Sequence, residues 1–285
     1  MAGRFHADMT PSEFLAAWLA EDGLPDADRE VFRAYYRHYA RSFRAHVRRA
    51  YDHTLAPVAT RLRELPPNGR VLEIGAGCGT EALYFALLGA DVTAVDISGT
   101  RLGVARRRAE ILQREFRKPL ACEFILTSLL DFRPPEPFDL IWMEQAFHHL
   151  APRDQAVARI AALLKPGGIV MIAETNPFNL LVQLQLFLQR GLPHVATYRD
   201  AQGREHAYGV ECILPPATLT RHLRNHGVQR VKLEYHRLLP AAIPDWPPLD
   251  LLERLAHRLL PLFVKRFVCS QYTYVGALAG SPPQR

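Results

Sequence analysis

The spacing of hydrophobic residues changes twice along the chain. Between residues 29 and 50, Phe32, Tyr36, Tyr39, Phe43 and Val47 recur at three- and four-residue steps. Arg33, Arg37, Arg41, Arg44 and Arg48 run beside them. This spacing predicts one amphipathic helix, Arg29 to Ala50, with an aromatic seam and a basic flank. Two roles fit it, a docking helix with a solvated charged face or a lid whose tyrosines face a ligand. Residues 1–69 as a whole read as helical. From 70 to 176, short apolar runs alternate with helical periods. Strands are predicted at Val71–Ile74, Asp91–Val95, Cys122–Leu126, Phe138–Met143 and Gly168–Glu174. Helices are predicted at Thr80–Leu88, Ser98–Glu115 and Arg153–Leu164. Apolar strands separated by helices imply a parallel sheet covered on both faces. Lys165-Pro166-Gly167-Gly168 stops a helix and feeds a strand. Beyond 176 the pattern is less regular. Helices are expected at Asn179–Gln189, Pro216–His226 and Leu249–Phe267, the last interrupted by Pro261. Gln229–Tyr235 and Gln271–Leu278 read as strands, and 191–213 carries turn formers without a clear period.

Composition narrows the class. The chain has 285 residues, 48% hydrophobic and 22% charged, which excludes wholesale disorder. Its net charge of +6 permits an anionic partner or a membrane surface without demanding one. The charge is uneven: residues 1–69 carry net +1, 70–176 net −1 and 177–285 net +6. The middle is thus nearly neutral and the tail is basic. Cys78, Cys122, Cys212 and Cys269 form no CxxC pair and no zinc spacing, which argues against a disulfide scaffold or a zinc ribbon. A reducing, cytoplasmic setting is expected. The first residues, MAGRFHADMTPSEF, show no apolar leader segment, and no run approaches 18 apolar residues, so no spanning helix is expected.

The most informative segment is Val71-Leu72-Glu73-Ile74-Gly75-Ala76-Gly77-Cys78-Gly79-Thr80. A strand runs into a glycine turn and a helix follows at once. Glycines let the backbone turn tightly and let a ligand approach main-chain N–H groups. The spacing is GxGxG, not the GxGxxG of nicotinamide and flavin sites. Asp96 follows Gly75 by 21 residues and ends the second strand, where a carboxylate can accept both hydroxyls of a ribose. Glu73, just before the loop, suits a ligand with positive charge. Cys78 reads as a small filler of the turn.

These residues resemble the class I S-adenosylmethionine-dependent methyltransferases. Glu73 to Gly79 is similar to that family's first motif, and Asp96 to its ribose-binding acid. Phe138-Asp139-Leu140-Ile141-Trp142 through Phe147-His148-His149-Leu150 is similar to its fourth-strand motif, and Leu164 to Gly168 to its turn into strand five. The resemblance covers about residues 60–176 well and the tail more loosely. It implies an α/β, Rossmann-like fold: a seven-stranded, mostly parallel sheet, the last strand antiparallel, with helices on both faces. A helical N-terminal lid (1–69) would precede the cofactor-binding core (70–176). The rest (177–285) would supply a helical insertion after strand five and complete the sheet. It also implies S-adenosyl-L-methionine as cofactor, with S-adenosyl-L-homocysteine as product. Gly75, Ala76, Gly77 and Gly79 would line the methionine and ribose part, with Glu73 and Glu144 beside it. Asp96 would hold the ribose and Ile97 pack on the adenine. The family often has an Asp after strand three; this chain has Ser128, so Ser128 or the Leu129 backbone N–H would serve the adenine.

Methyl transfer from a sulfonium is an in-line displacement, and the protein aligns the acceptor and excludes water. A hydroxyl acceptor benefits from a general base. Glu144, His148 and His149 stand at the end of strand four, and Glu144 and His148 would share a face if that stretch were helical. The register does not match metal-binding relatives cleanly, so no metal is expected. Strand five ends in Glu174-Thr175-Asn176-Pro177-Phe178, which places Asn176 and Phe178, with Tyr36, Tyr39 and His149, as candidate acceptor contacts. The first functional expectation is methyl transfer to O or N of a small apolar or aromatic metabolite, natural-product, quinone- or lipid-like. The alternatives are an RNA or protein methyltransferase, a cofactor-binding subunit without turnover, and an NAD-dependent oxidoreductase. DNA is not an expected partner and RNA is disfavoured. The chain would be a monomer or homodimer, with peripheral membrane contact through the Leu249–Phe267 segment left open.

Overall fold

The structure is a computed structural model. It describes residues 5–6, 8–20, 23–66, 69–190, 195–199, 205–210, 213–240 and 243–280. In chain order the elements are α1 (Pro11–Leu19), α2 (Asp26–Tyr35), α3 (Arg37–Arg41), α4 (Ala45–Glu64), β1 (Arg70–Ile74), α5 (Thr80–Leu87), β2 (Asp91–Asp96), α6 (Gly99–Phe116) and β3 (Cys122–Leu126). They continue with β4 (Phe138–Glu144), a 3-10 turn (Phe147–His149), α7 (Arg153–Leu163), β5 (Leu164–Thr175), α8 (Leu180–Arg190), β6 (Val195–Arg199) and β7 (Glu205–Val210). The last are α9 (Pro216–Asn225), β8 (Val228–His236), α10 (Pro247–Leu259), α11 (Leu262–Val268) and β9 (Gln271–Leu278). No helix among the described residues is long and apolar enough to cross a membrane.

The chain divides into two compact units, Met1–Arg133 with Ala241–Trp246, and Pro134–Pro240 with Pro247–Arg285. The break falls between β3 and β4, inside the stretch expected as one core, and the N-terminal helices belong with the first three strands. The main sheet has seven strands, β3-β2-β1 from the first unit and β4-β5-β9-β8 from the second. In the first unit β1, β2 and β3 are parallel neighbours. In the second, β4 and β5 are parallel, while β9 runs antiparallel to both β5 and β8. The expected mixed sheet with an antiparallel last strand is therefore the one observed.

Two expectations change, and the interruption expected at Pro261 is observed. The helix predicted from Arg29 to Ala50 is three helices, broken at Tyr36 and again at Ser42–Arg44. Ser42 leaves helical geometry (φ −159°, ψ 76°), and Phe43 packs on Tyr39 and Tyr51 with ring centres 5.1 and 6.1 Å away. Arg48 then closes the break: its Nε donates to the Phe43 carbonyl at 2.9 Å. Aromatic packing wins over an unbroken helical period. The helix predicted from Leu249 to Phe267 is α10 and α11, because Pro261 has no N–H to donate and its ring blocks continuation. Residues 191–213 contain the antiparallel pair β6–β7, which no period announced; 191–194, 200–204 and 211–212 lie outside the described residues.

The first unit's helices are held to its strands by buried aromatic and polar contacts. Thr10 and Glu13 form a capping box at the start of α1. Asp52 on α4 accepts from both the backbone N and the hydroxyl of Ser12, each at 2.7 Å. Trp18 and Phe32 are fully buried on either side of Arg108, whose guanidinium lies 4.4 and 4.6 Å from their ring centres. Each buried ring contributes roughly 1.5–3 kcal/mol through the area it removes from water.

Candidate active site

In the first unit, β1 delivers the chain into a loop that β2 holds from below. The N–H groups of Gly75 and Ala76 both donate to the Val95 carbonyl, at 2.9 and 3.1 Å. Gly77 and Gly79 then take left-handed φ angles of 53° and 73°, which L side chains adopt only at a cost. Space adds a second requirement. A Cβ on Gly79 would lie 2.7 Å from Phe124 and 2.8 Å from Ala105, and a Cβ on Gly77 would lie 2.3 Å from the Tyr35 hydroxyl. The glycines thus let β3 and α6 pack close against the loop and Tyr35 lie over it.

Asp96 ties the loop to the end of β2. One carboxylate oxygen accepts from Gly77 N at 2.8 Å and the other from Ser98 N at 2.7 Å. A carboxylate offers about four lone-pair sites, so acceptor capacity remains for two hydroxyls. Glu73 is buried at the end of β1, and Ile97 is half-buried beside Asp96. Cys78 is fully buried and its thiol is pushed up to about 11 by desolvation, which suits a filler and not a nucleophile.

Sequence reasoning named Tyr36 and Tyr39 but missed Tyr35. The residue remains 37% exposed while its hydroxyl end turns in over Gly77. Desolvation first, then the carboxylates of Glu81 and Asp96, hold that hydroxyl well above its ordinary pKa. Arg101 lies over the ring at 5.0 Å. Tyr36 is buried and its hydroxyl has no hydrogen-bond partner among the described groups. It too is raised well above the usual tyrosine range, by burial and then by Glu81. Tyr39 packs against Tyr36, Phe43 and Tyr51, and Tyr51 donates to Glu81 Oε1. Arg108 anchors the loop from the other side: Nη1 donates to the Cys78 carbonyl at 2.6 Å and to Thr80 Oγ1 at 2.8 Å. The signal for Tyr35 was its place next to Tyr36, hidden by the assumption of one continuous helical face.

Ser128 is engaged locally. Its hydroxyl donates to Asp131 Oδ2 at 2.7 Å and accepts from Asp131 N at 3.2 Å, closing the turn after β3. Its proton is committed to Asp131, and one lone pair remains to accept from an amino group. Leu129, next to it, is buried.

The second unit carries the histidines. Glu144 ends β4, and Gln145 follows with a left-handed φ of 49°. Glu144 and His148 therefore do not share a helical face; the strand continues too far and the backbone turns between them. The 3-10 turn then places His148 against Glu174, near the end of β5. His148 Nδ1 lies 2.8 Å from Glu174 Oε2, and the His148 backbone N donates to Oε1 at 3.2 Å. Both residues are buried. His149 stacks on His148 with ring centres 3.9 Å apart. Glu174 was not among the expected site residues. Its signal was position, since β4 and β5 are parallel neighbours and their carboxyl ends meet.

Asn176 requires a correction. It is fully buried, and Nδ2 donates to the carbonyls of Arg266 and Cys269, both at 2.7 Å. Oδ1 accepts from Phe178 N at 3.2 Å. It serves the fold and faces no acceptor. Phe178 is half-buried, with the Arg266 guanidinium 3.9 Å from its ring centre. Among the described residues, no group of three or more His, Cys, Asp or Glu side chains could hold a metal ion.

The family profile for a methyltransferase domain matches residues 72–170, the span from the glycine-loop strand to the middle of β5. That stretch, about a third of the chain, is similar to methyltransferase domains. Among curated proteins, the chain is 29% identical over 161 residues to a ubiquinone biosynthesis O-methyltransferase of Rhodopseudomonas palustris, covering 55% of this chain and 57% of that protein. It is 29% identical over 175 residues to a protein of the same name from Burkholderia pseudomallei, covering 60% of this chain and 71% of that one. The chain spans about half the length of the first curated relatives it matches. Among solved structures, magnesium protoporphyrin IX methyltransferase from Synechocystis PCC 6803, with bound SAH, has a TM-score of 0.56 at 15% identity. That match covers 88% of this chain and 96% of the other, and it shows the fold.

The cofactor of this methyltransferase family is S-adenosylmethionine. The first unit's residues fit it. Asp96 keeps acceptor sites for a ribose, and the Tyr36 hydroxyl is a buried donor without a hydrogen-bond partner among the described residues. An orphaned buried donor costs roughly 1–3 kcal/mol, which a polar ligand would offset.

Proposed function

We propose that this chain is an S-adenosylmethionine-dependent O-methyltransferase acting on a small, apolar, hydroxyl-bearing acceptor. Its general base is His148, oriented by Glu174. The observation that carries this reading is the buried His148–Glu174 pair at 2.8 Å. A carboxylate on Nδ1 selects the tautomer with its proton there, which leaves Nε2 free to take one. The acceptor's O–H proton passes to Nε2, and Glu174 stabilises the imidazolium that results. The bound cofactor supplies the methyl group from its sulfonium. Gly77 and Asp96 hold the nucleoside end, and Tyr35 covers the loop.

The relatives' name, ubiquinone biosynthesis O-methyltransferase, supports a phenolic or quinol acceptor. A reducing, cytoplasmic setting is part of the proposal, supported by free Cys78, Cys122 and Cys269. The test is incubation with isotopically methyl-labelled cofactor and a panel of catechols and hydroquinones, with mass spectrometry of the methyl ether. Transfer that His148→Ala abolishes, with affinity for S-adenosylhomocysteine retained, supports the reading. Full turnover by His148→Ala rejects the base. Transfer only to RNA or protein rejects the acceptor class.

A further inference from the structure

Among the described residues, the second unit presents an apolar surface that its own fold leaves uncovered. On α8, Leu180, Leu181, Leu184, Phe187 and Leu188 occupy one helical stripe, and all are more than half exposed, Leu180 at 81%. On α10, Leu251, Leu252, Leu255 and Leu259 repeat the arrangement, with Leu259 at 74%. On α11, Leu262, Phe263 and Phe267 continue it, with Phe263 at 70%. These stripes are inverted with respect to a core-facing helix. Exposed apolar stripes of this kind mark an interaction surface.

The start of α8 and the end of α11 are fixed together. Asn179 Nδ2 donates to the Val268 carbonyl at 2.7 Å, and Asn176 holds the carbonyls of Arg266 and Cys269. Phe178 packs on Phe267 with ring centres 6.1 Å apart. The two apolar elements therefore form one platform, which begins six residues after Glu174 in the chain.

Charge identifies the occupant. Segments 180–190 and 262–268 contain no acidic residue. The acids of α10 are neutralised or turned inward: Asp250 lies 3.4 Å from Arg254, and buried Glu253 accepts from Leu239 N. Arg258 and Arg266 are exposed beside the leucines, and Lys265 is half-exposed. Large apolar side chains flanked by cations match an anionic bilayer surface, with the alkyl stems of Arg and Lys along the acyl boundary and their charges among headgroups. A second copy of the chain matches less well, because a two-fold interface would set these cations against their own copies. We propose that α8, α10 and α11 form a docking face for an anionic membrane surface. This does not depend on which acceptor is methylated.

The test is co-sedimentation of the full chain with vesicles of phosphatidylcholine alone, or of phosphatidylcholine mixed with an equal amount of phosphatidylglycerol. The chain is expected to pellet with the anionic vesicles, to stay in the supernatant with the neutral ones, and to be released by high salt. The pair Leu184→Asp and Leu255→Asp, and separately Arg258→Glu and Lys265→Glu, are each expected to lower vesicle affinity at least about tenfold. Retained S-adenosylhomocysteine affinity shows that both variants fold. Wild-type protein remaining in the supernatant with anionic vesicles overturns the proposal. So does variant protein that pellets like wild type. A wild-type dimer that the leucine pair disrupts, without vesicle binding, assigns the face to a second copy and equally overturns it.

Discussion

Replacing Gly77 by alanine tests the glycine loop and its cover together. Two costs arise in this structure. The first is conformational: at φ 53° an L residue in the left-handed region costs about 1–2 kcal/mol. The second is steric. The new Cβ would stand 2.3 Å from the Tyr35 hydroxyl and 2.4 Å from Cζ, whereas carbon atoms at optimal contact lie about 3.5–4.0 Å apart. Tyr35 must therefore swing away by more than an ångström. It is a partly exposed side chain, so it can move, but it leaves the Arg101 guanidinium 5.0 Å from its ring centre. That contact is worth about 0.5–1 kcal/mol at an exposed site. Gly77→Ala should thus destabilise the fold by roughly 1.5–3 kcal/mol, the sum of these terms. In a Tyr35→Ala background the clash and the stacking are already gone, and the same substitution should cost only about 1–2 kcal/mol. Urea denaturation of the four proteins in the double-mutant cycle measures the difference. Strict additivity would refute the placement of Tyr35 over the loop. Calorimetric titration with S-adenosylhomocysteine on the same four proteins should show both single variants binding more weakly than wild type.

Asp96→Ala should weaken S-adenosylhomocysteine binding by about 1–3 kcal/mol, through loss of a charged acceptor; unchanged affinity in a calorimetric titration would remove Asp96 from the ribose site. Glu174→Gln should lower kcat by roughly 10- to 100-fold, the scale for losing the group that orients a functional histidine. Cofactor affinity should not change, and stopped-flow product analysis that finds wild-type turnover would leave Glu174 a purely structural neighbour of His148. Cys78 should resist alkylation by iodoacetamide near neutral pH, because its thiol titrates only at about 11 and stays protonated below that; rapid mass gain at Cys78 in the folded protein would contradict its burial. Arg108→Ala should cost roughly 3–5 kcal/mol in urea denaturation, since it leaves the Cys78 carbonyl and Thr80 unpaired and empties the space between Trp18 and Phe32.

What could be read in the residues follows the range of the forces that set it. β3 at Cys122–Leu126 and β9 at Gln271–Leu278 match their expected bounds, because an apolar strand between turn formers is a local signal. The glycine loop was legible for the same reason: Gly77 and Gly79 need left-handed φ whatever surrounds them. The N-terminal helix was misread because its period is local but its breaks are not. Phe43 leaves the helix to meet Tyr51, on the next helix, and a periodic pattern does not include that partner. Tyr35 was hidden by the same error, since an unbroken helix turns it away from the Tyr36 seam. Asn176 was misassigned because an amide after a strand looks the same from sequence whether it meets a ligand or the carbonyls of Arg266 and Cys269, 90 and 93 residues ahead. His148 and Glu174 show the converse. They stand 26 residues apart, and only the parallel pairing of β4 with β5 joins them. The chemistry of a base needs both a proton acceptor and a group to orient it. The sequence names the first by residue type, and strand pairing supplies the second. In a parallel sheet, therefore, an acid near the carboxyl end of the adjacent strand is the place to look for the partner of a histidine that follows a strand.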